Sequence, residues 1–398
     1  MSVAVFSTDR RLLIGVPLAL AAAQLVAGGI DLLLAAALDA IGDGAVTTYG
    51  AITALAGLAA LVAYPVSGLM VDRHMPGIRG RSGWVGVGVA VSASGLVGFG
   101  QARDSTLLAL TYVVAFGALP IVFVALYATI ADRVPATRRG TAGALVGVAT
   151  IVGGIAGNLL AARFAGAVAI GAAVFAVLLV AGAAAHAWLL GRSIGTPPVA
   201  PLDEKMAFAR SGNWGDLAWF AVGRFALFLA YAAVAGLAYY IWRDHLRAPE
   251  PAAGVAAFAL VSGTATLLAS SLTGPWSDRV DARGPFVAGS ALVMAAGVVA
   301  PLAVPTTTSF LVGGALIGLG FGTYLAVGTA LATLLLPRSA TFGRDLGLIG
   351  ATNASAQAVA PAAASVIAAS AGYTTMLALA AAACLVSAAT ASRIRSVR

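Results

Sequence analysis

The feature that most constrains this chain is that its apolar residues come in runs too long for the core of a water-soluble domain. They lie near 12–38, 46–70, 82–100, 106–130, 141–163, 166–190, 217–241, 252–276, 284–304, 309–335, 347–370 and 373–392. About 20 apolar residues at about 1.5 Å each cross the hydrocarbon core of a bilayer as a helix, the one open structure that satisfies its own backbone there. The pattern predicts an all-α membrane protein of twelve transmembrane helices, arranged as six, a polar gap and six. Composition agrees, with 60% hydrophobic and only 10% charged residues, against about a quarter charged in soluble domains. The first run follows Arg10 and Arg11 as a signal peptide would, but it continues to Leu38 with charge only at Asp31. That is too long for a signal-peptide core, so it reads as the first span.

The polar gap carries Pro197, Pro198, Pro201, Asp203, Glu204 and Lys205, the longest hydrophilic stretch of the chain. It predicts a six-helix bundle over 1–190, a cytoplasmic linker over 191–215 and a second six-helix bundle over 216–398. Of the 23 basic residues, all but Arg103, Arg163, Arg243, Arg247 and the intramembrane Arg224 fall on the side of the termini and the linker. By the positive-inside rule both termini and the linker are cytoplasmic, and the protein is multi-pass in the cytoplasmic membrane. The net charge of +8 therefore reflects short loops beside lipid and gives no reason to expect nucleic acid. Lys205 is the only lysine among many alanines, which fits a GC-rich bacterial genome. Cys384 stands alone in an apolar run, so neither a disulfide framework nor a cysteine metal site is expected.

Between the second and third runs lies an island of charge, Gly68 to Arg81, reading G-L-M-V-D-R-H-M-P-G-I-R-G-R. Gly68, Asp72 and Arg73 recur about half a chain later as Gly274, Asp278 and Arg279. Asp72, Arg73, Arg79 and Gly80 are echoed at equal spacing by Asp132, Arg133, Arg139 and Gly140. Such recurrence points to duplication of one hydrophobic unit, giving two pseudo-symmetric bundles. A carboxylate at a helix C-terminus faces the negative end of its own dipole, so Asp72 needs Arg73, Arg79, Arg81 or another helix N-terminus. Gly68, one turn earlier, leaves room for a second helix to approach. An ordinary positive-inside loop explains one copy as well, but not three at matched places.

The island resembles the signature cytoplasmic loop of major facilitator superfamily transporters, with a weaker copy in the second half. The usual loop is tighter, and the longer form here, through His74 to Ile78, is similar to the sugar and cation symporter branch. The resemblance implies a major facilitator fold in which the first, fourth, seventh and tenth helices line a central cavity. It also implies alternating access of a small solute driven by a proton or sodium gradient, without a bound cofactor. The fifth run lacks the glycine-then-proline pattern of the family's drug and proton antiporters, and the fourth has no arginine, both of which count against efflux by proton antiport.

Charge inside a span is costly enough to be a functional candidate in its own right. Arg224 lies about seven residues into the seventh run, in D-x-x-W-x-x-x-x-R-F, a pattern similar to the start of the same helix in bacterial members of the symporter-like branch. Phe228 and Tyr231, at i+4 and i+7, share its face. Arg224 either binds substrate or an ion partner, or it satisfies carbonyls or a carboxylate structurally. Asp31, toward the outer end of the first run, is either the coupling carboxylate or one half of a structural pair with Arg163. Asn353, Gln357 and Pro361 recur every four residues on the eleventh run as one polar, kinkable face. Tyr112 and Tyr127 on the fourth run, and Thr323 and Tyr324 on the tenth, add hydrogen-bonding groups. Pairs Gly143/Gly147, Gly153/Gly157 and Gly314/Gly318 predict close helix crossings. His74 and His245 fall in loops and His186 near the inner end of the sixth run. No nucleotide loop, metal cluster or nucleophile and base spacing stands out, so catalysis is not expected.

The sequence reading is thus an ion-coupled secondary transporter, functional as a monomer in the lipid bilayer, that moves a small polar solute such as a sugar or glycoside. A drug or metabolite exporter and a non-transporting membrane receptor of the same fold are the alternatives.

Overall fold

The computed structural model describes residues 2–74, 78–134, 139–191, 214–280, 283–335 and 342–394. Among them eleven helices are long and apolar enough to cross a membrane. The last, Ser355–Ala391, has 37 residues, which at about 1.5 Å each is far longer than a bilayer core. It contains Gly372 in a non-helical conformation at φ 85° and ψ 162°, a positive φ that favours glycine. That break falls between the expected runs 347–370 and 373–392, so the two expected helices follow each other directly across a kink at Gly372, with no loop between them. Outward faces are apolar: Leu272 is 68% and Val177 66% exposed, as lipid permits and water does not.

The chain divides into two compact units, Met1–Pro201 and Leu202–Arg398. Most of the expected linker, 192–213, lies outside the described residues. The first unit holds α1 Ser2–Ala40, α2 Val46–His74, α3 Ile78–Gln101, α4 Ser105–Gly117, α5 Leu119–Arg133, α6 Arg139–Arg163 and α7 Val168–Gly191. Asp104 caps α4 by accepting from the Leu107 amide at 2.8 Å. The run that α4 opens is interrupted at Ala118, two residues before Pro120, which has no amide hydrogen to continue the ladder. α1 packs on α6 and α7, α3 on α4, α5 and α7, and α2 on α4 and α5. The α1 and α6 backbones meet at glycine: a Cβ on Gly28 would lie 2.7 Å from the Gly154 Cα, and one on Gly153 would lie 2.5 Å from the Ala21 carbonyl. Gly157 is pressed against the Leu25 carbonyl in the same way. Gly143 and Gly147 instead have open space beside them, so they do not form the close crossing that their spacing suggests. Their i, i+4 relation puts them on one face, but that face meets no neighbour.

The second unit holds α8 Trp214–Gly236, α9 Ala238–Tyr240, a π-turn Ile241–His245, α10 Pro251–Val280, α11 Arg283–Ala303, α12 Thr307–Leu335 and α13 Phe342–Ala391. α8 lies along α13, and α12 packs on α10 and α11. Glycine again sets the closest crossing, with Gly318 against the Ser262 carbonyl and a Cβ on Gly314 only 2.8 Å from the Phe258 ring.

Candidate functional site

Among the described residues, each unit holds a charged group inside its helices. In the second unit it is built on α8, whose apolar sequence forces a choice on Arg224: a cation there must find donors' partners within the protein. Arg224 is 6% exposed. Its Nε donates to the Asn353 Oδ1 of α13 at 2.8 Å. Its Nη1 is buried with no hydrogen-bond partner among the described residues. Aromatic rings surround the guanidinium: its Cζ lies 5.9 Å from the Phe220 centroid, 5.1 Å from Phe228 and 5.8 Å from Tyr324. Phe220 and Phe228 flank Arg224 at i−4 and i+4 on the same face of α8. Phe321 of α12 extends the cage, edge-on to Phe228 at 5.2 Å and stacked on Tyr231 at 4.0 Å. Aromatic faces attract a cation but do not neutralise it or accept in the guanidinium plane.

The expected polar face of α13 divides. Asn353 reaches Arg224, Gln357 is exposed, and Pro361 packs beside Gly236 of α8. Thr323 and Tyr324 also part: Tyr324 is buried at the arginine, whereas Thr323 lines a separate groove of about 400 Å³ with Trp276, Phe286 and Ser290. Adjacent helical residues point about 100° apart, so the two cannot share a site.

In the first unit the Tyr112 hydroxyl of α4 donates to the Asp31 carboxylate of α1. Tyr112 is 1% exposed, stacked on Phe116 at 5.8 Å and tilted against Phe99 at 6.4 Å. Among the described residues no ion pair joins Asp31 to Arg163; the partner is the phenol, 81 positions away. The pairing with Arg163 rested on depth alone, and depth does not say which face of a helix turns inward. Tyr127 is 44% exposed and stands apart from this centre.

The repeated charge motif is only partly described. The side chains of Asp72, Arg73, Arg79, Asp132, Arg139 and Asp278 lie outside the described residues, while Arg81 and Arg133 are half-buried and Arg279 is exposed. The space beside Gly68 is open, and the nearest atom to a Cβ on Gly274 would be that of Ala326 at 3.8 Å. Among the described residues no second helix presses on either glycine, in contrast to the close approach expected at Gly68.

A third cluster escaped the sequence reading. Where the π-turn meets the bend of α13, Tyr373 donates to Asp244 Oδ2 at 2.6 Å. Arg243 reaches both Asp244 oxygens, at 2.5 Å from Nε and 3.0 Å from Nη2, and lies over the Tyr240 ring at 4.6 Å. His245 stands 6.0 Å from the Tyr373 ring, and burial holds its imidazole below its ordinary value. The loop charges gave a signal, but only the bend at Gly372 brings Tyr373 to them.

Comparison with known proteins adds three findings. A family model described as Major Facilitator Superfamily matches residues 220–397, within the second unit. No curated protein sequence matches the chain. Among solved structures, the chain is similar to the crystal structure of a bacterial homologue of the iron transporter ferroportin in its outward-facing state. The TM-score is 0.64 at 17% identity, covering 97% of this chain and 99% of that one. At that identity the likeness shows the fold.

Proposed function

We propose that this multi-pass membrane protein is a secondary transporter of the major facilitator type, with twelve spans in two six-helix bundles and alternating access to a central solute site. The observation that carries the reading is Arg224: a cation held inside an apolar helix by a neutral amide, the Tyr324 hydroxyl and a ring of aromatic side chains, where structure alone gains little from it. The family-model match over 220–397 supports the reading, because it covers the segment that holds this centre. The solute is a small polar molecule, for which the sequence points to a sugar or glycoside. Its structural neighbour, a homologue of an iron transporter, shares a fold at 17% identity, and no cargo is carried over from it.

Asp31, held by Tyr112, is the coupling group: a carboxylate that takes up and releases a proton or sodium ion as access alternates. The repeated Asp72 and Asp278 motif closes the cytoplasmic face, with both termini on that side of the cytoplasmic membrane. The protein acts as a monomer and catalyses no covalent chemistry.

The test is uptake of labelled glucose, lactose and trehalose by the purified protein in liposomes with and without an imposed proton or sodium gradient. Gradient-driven accumulation is the expected result. Efflux-directed transport of a drug instead would turn the reading to export, and binding without any flux would make the protein a receptor.

A further inference from the structure

The centre around Arg224 also constrains the charge of what binds it. This rests on the reading of Arg224 as a solute contact, and it adds the solute's chemical class. The Asn353 amide must turn its oxygen to the Arg224 Nε, because its nitrogen would meet a donor with a donor. With Oδ1 turned to the cation, Asn353 presents its Nδ2 hydrogens to a ligand, and Arg224 offers Nη1, which has no partner among the described residues. Both groups donate. The rings of Phe220, Phe228 and Tyr324 lie 5–6 Å from the guanidinium carbon, and the one acceptor they bring, the neutral Tyr324 hydroxyl, hydrogen-bonds the guanidinium without neutralising it. Among the described residues no carboxylate forms an ion pair with Arg224, so within them the buried cation has no counter-charge.

We propose that Arg224 and Asn353 bind an anionic oxygen group of the solute, a carboxylate or an equivalent acid. The aromatic cluster of Phe228, Tyr231, Phe321 and Tyr324 receives the adjoining ring or apolar body. A neutral hydroxyl can accept one of these hydrogen bonds, but only an anion accepts from a planar fork through two oxygens and removes the unpaired charge. The solute is therefore an acid, such as a sugar acid or an aromatic acid, and a neutral sugar binds more weakly.

The test is thermal unfolding of the purified full-length protein with matched pairs of probes: glucuronate against glucose, and phenylacetate against 2-phenylethanol. An acid that binds the folded state raises the midpoint in proportion to the logarithm of its concentration, and its neutral partner does not. In Arg224→Lys the acid response should persist with affinity weaker by about tenfold, because the charge remains and the fork is lost. In Arg224→Met the acid response should vanish while the ligand-free midpoint is unchanged or higher, since an unpaired buried cation is replaced by an apolar side chain. Asn353→Asp gives a second arm should Arg224→Met not fold. It places a carboxylate on Nε, and should raise the ligand-free midpoint and abolish the acid response.

Equal shifts from acid and neutral partners, no shift from either acid, or an acid response surviving in Arg224→Met would each overturn the proposal. So would a ligand-free midpoint that falls by several degrees in Arg224→Met, which would mark the arginine as structural. Acid binding without flux would sink the transport reading and leave this inference standing, while flux of neutral sugars without acid binding would do the reverse.

Discussion

The two units package polar groups in opposite ways. In the first, an anion on α1 is half-buried and answered by one phenol; in the second, a cation on α8 is buried, answered by an amide and the Tyr324 hydroxyl and caged by rings. Helix packing does not divide them in this way. Both units bring their closest helices together by setting a glycine against a neighbour's carbonyl, Gly157 against Leu25 in one and Gly318 against Ser262 in the other. Any side chain at those glycines would clash, so both crossings need glycine. The polar centres carry no such constraint, since a site of either sign fits a helical backbone.

The largest effect expected from breaking this comparison is at the cation. Arg224→Ala removes the guanidinium and should cost about 2–5 kcal/mol of solute binding, a loss of tens of fold or more. It is read as loss of the ligand-dependent thermal shift and of liposome flux. Wild-type flux in the variant would remove Arg224 from the site.

The anion should fail differently. Asp31→Asn keeps shape and neutralises the carboxylate, so it should abolish accumulation against a gradient while exchange between equal pools continues, because exchange need not release the coupled ion. Loss of both, with normal folded yield, would move Asp31 from coupling to solute binding. Retention of gradient-driven accumulation would end its coupling role.

How much of this was legible before the fold was known follows from what one dimension carries. A lone charge in an apolar run marks itself, so Arg224 and Asp31 stood out, and helical spacing placed Phe228 and Tyr231 on the arginine's face. Partners are another matter. Asn353 and Tyr112 were visible as polar residues in spans, yet their pairing with Arg224 and Asp31 depends on how α13 docks on α8 and α4 on α1, which no local period encodes. The same limit explains Gly143 and Gly147, whose spacing equals that of Gly153 and Gly157 but whose face has no neighbour. The apolar runs marked the boundary near Gly372, between 370 and 373, though not that the chain turns there on a single glycine with no loop.

A smaller effect should come from packing, and it should be alike in both units. Gly157→Val and Gly318→Val each drive a branched side chain into a carbonyl and should cost about 1–3 kcal/mol, seen as a lower unfolding midpoint in detergent. Gly143→Ala, beside open space, should be neutral or stabilising by up to about 1 kcal/mol. A Gly318→Val variant as stable as the wild type would show that the α10 and α12 crossing is looser than that of α1 and α6.

The smallest and most selective comparison uses one chemistry in two settings. Tyr112 donates to Asp31, and Tyr373 donates to Asp244 at 2.6 Å. Tyr112 is almost wholly enclosed, whereas the Asp244 side chain is 32% exposed and keeps both hydrogen bonds from Arg243 after the phenol is removed. Tyr112→Phe therefore leaves a carboxylate short of its one observed donor in an apolar setting, at a cost of about 1–3 kcal/mol. Tyr373→Phe leaves a carboxylate that water and Arg243 still satisfy, at about 1 kcal/mol or less. Salt should narrow the stability of the Tyr373 site and scarcely touch that of Tyr112, because screening acts where solvent reaches. Equal losses for the two substitutions, with equal sensitivity to salt, would mean that Asp31 is as well hydrated as Asp244. A carboxylate so hydrated would have no reason to hold its proton or ion through the transport cycle, and the coupling role would pass to another group.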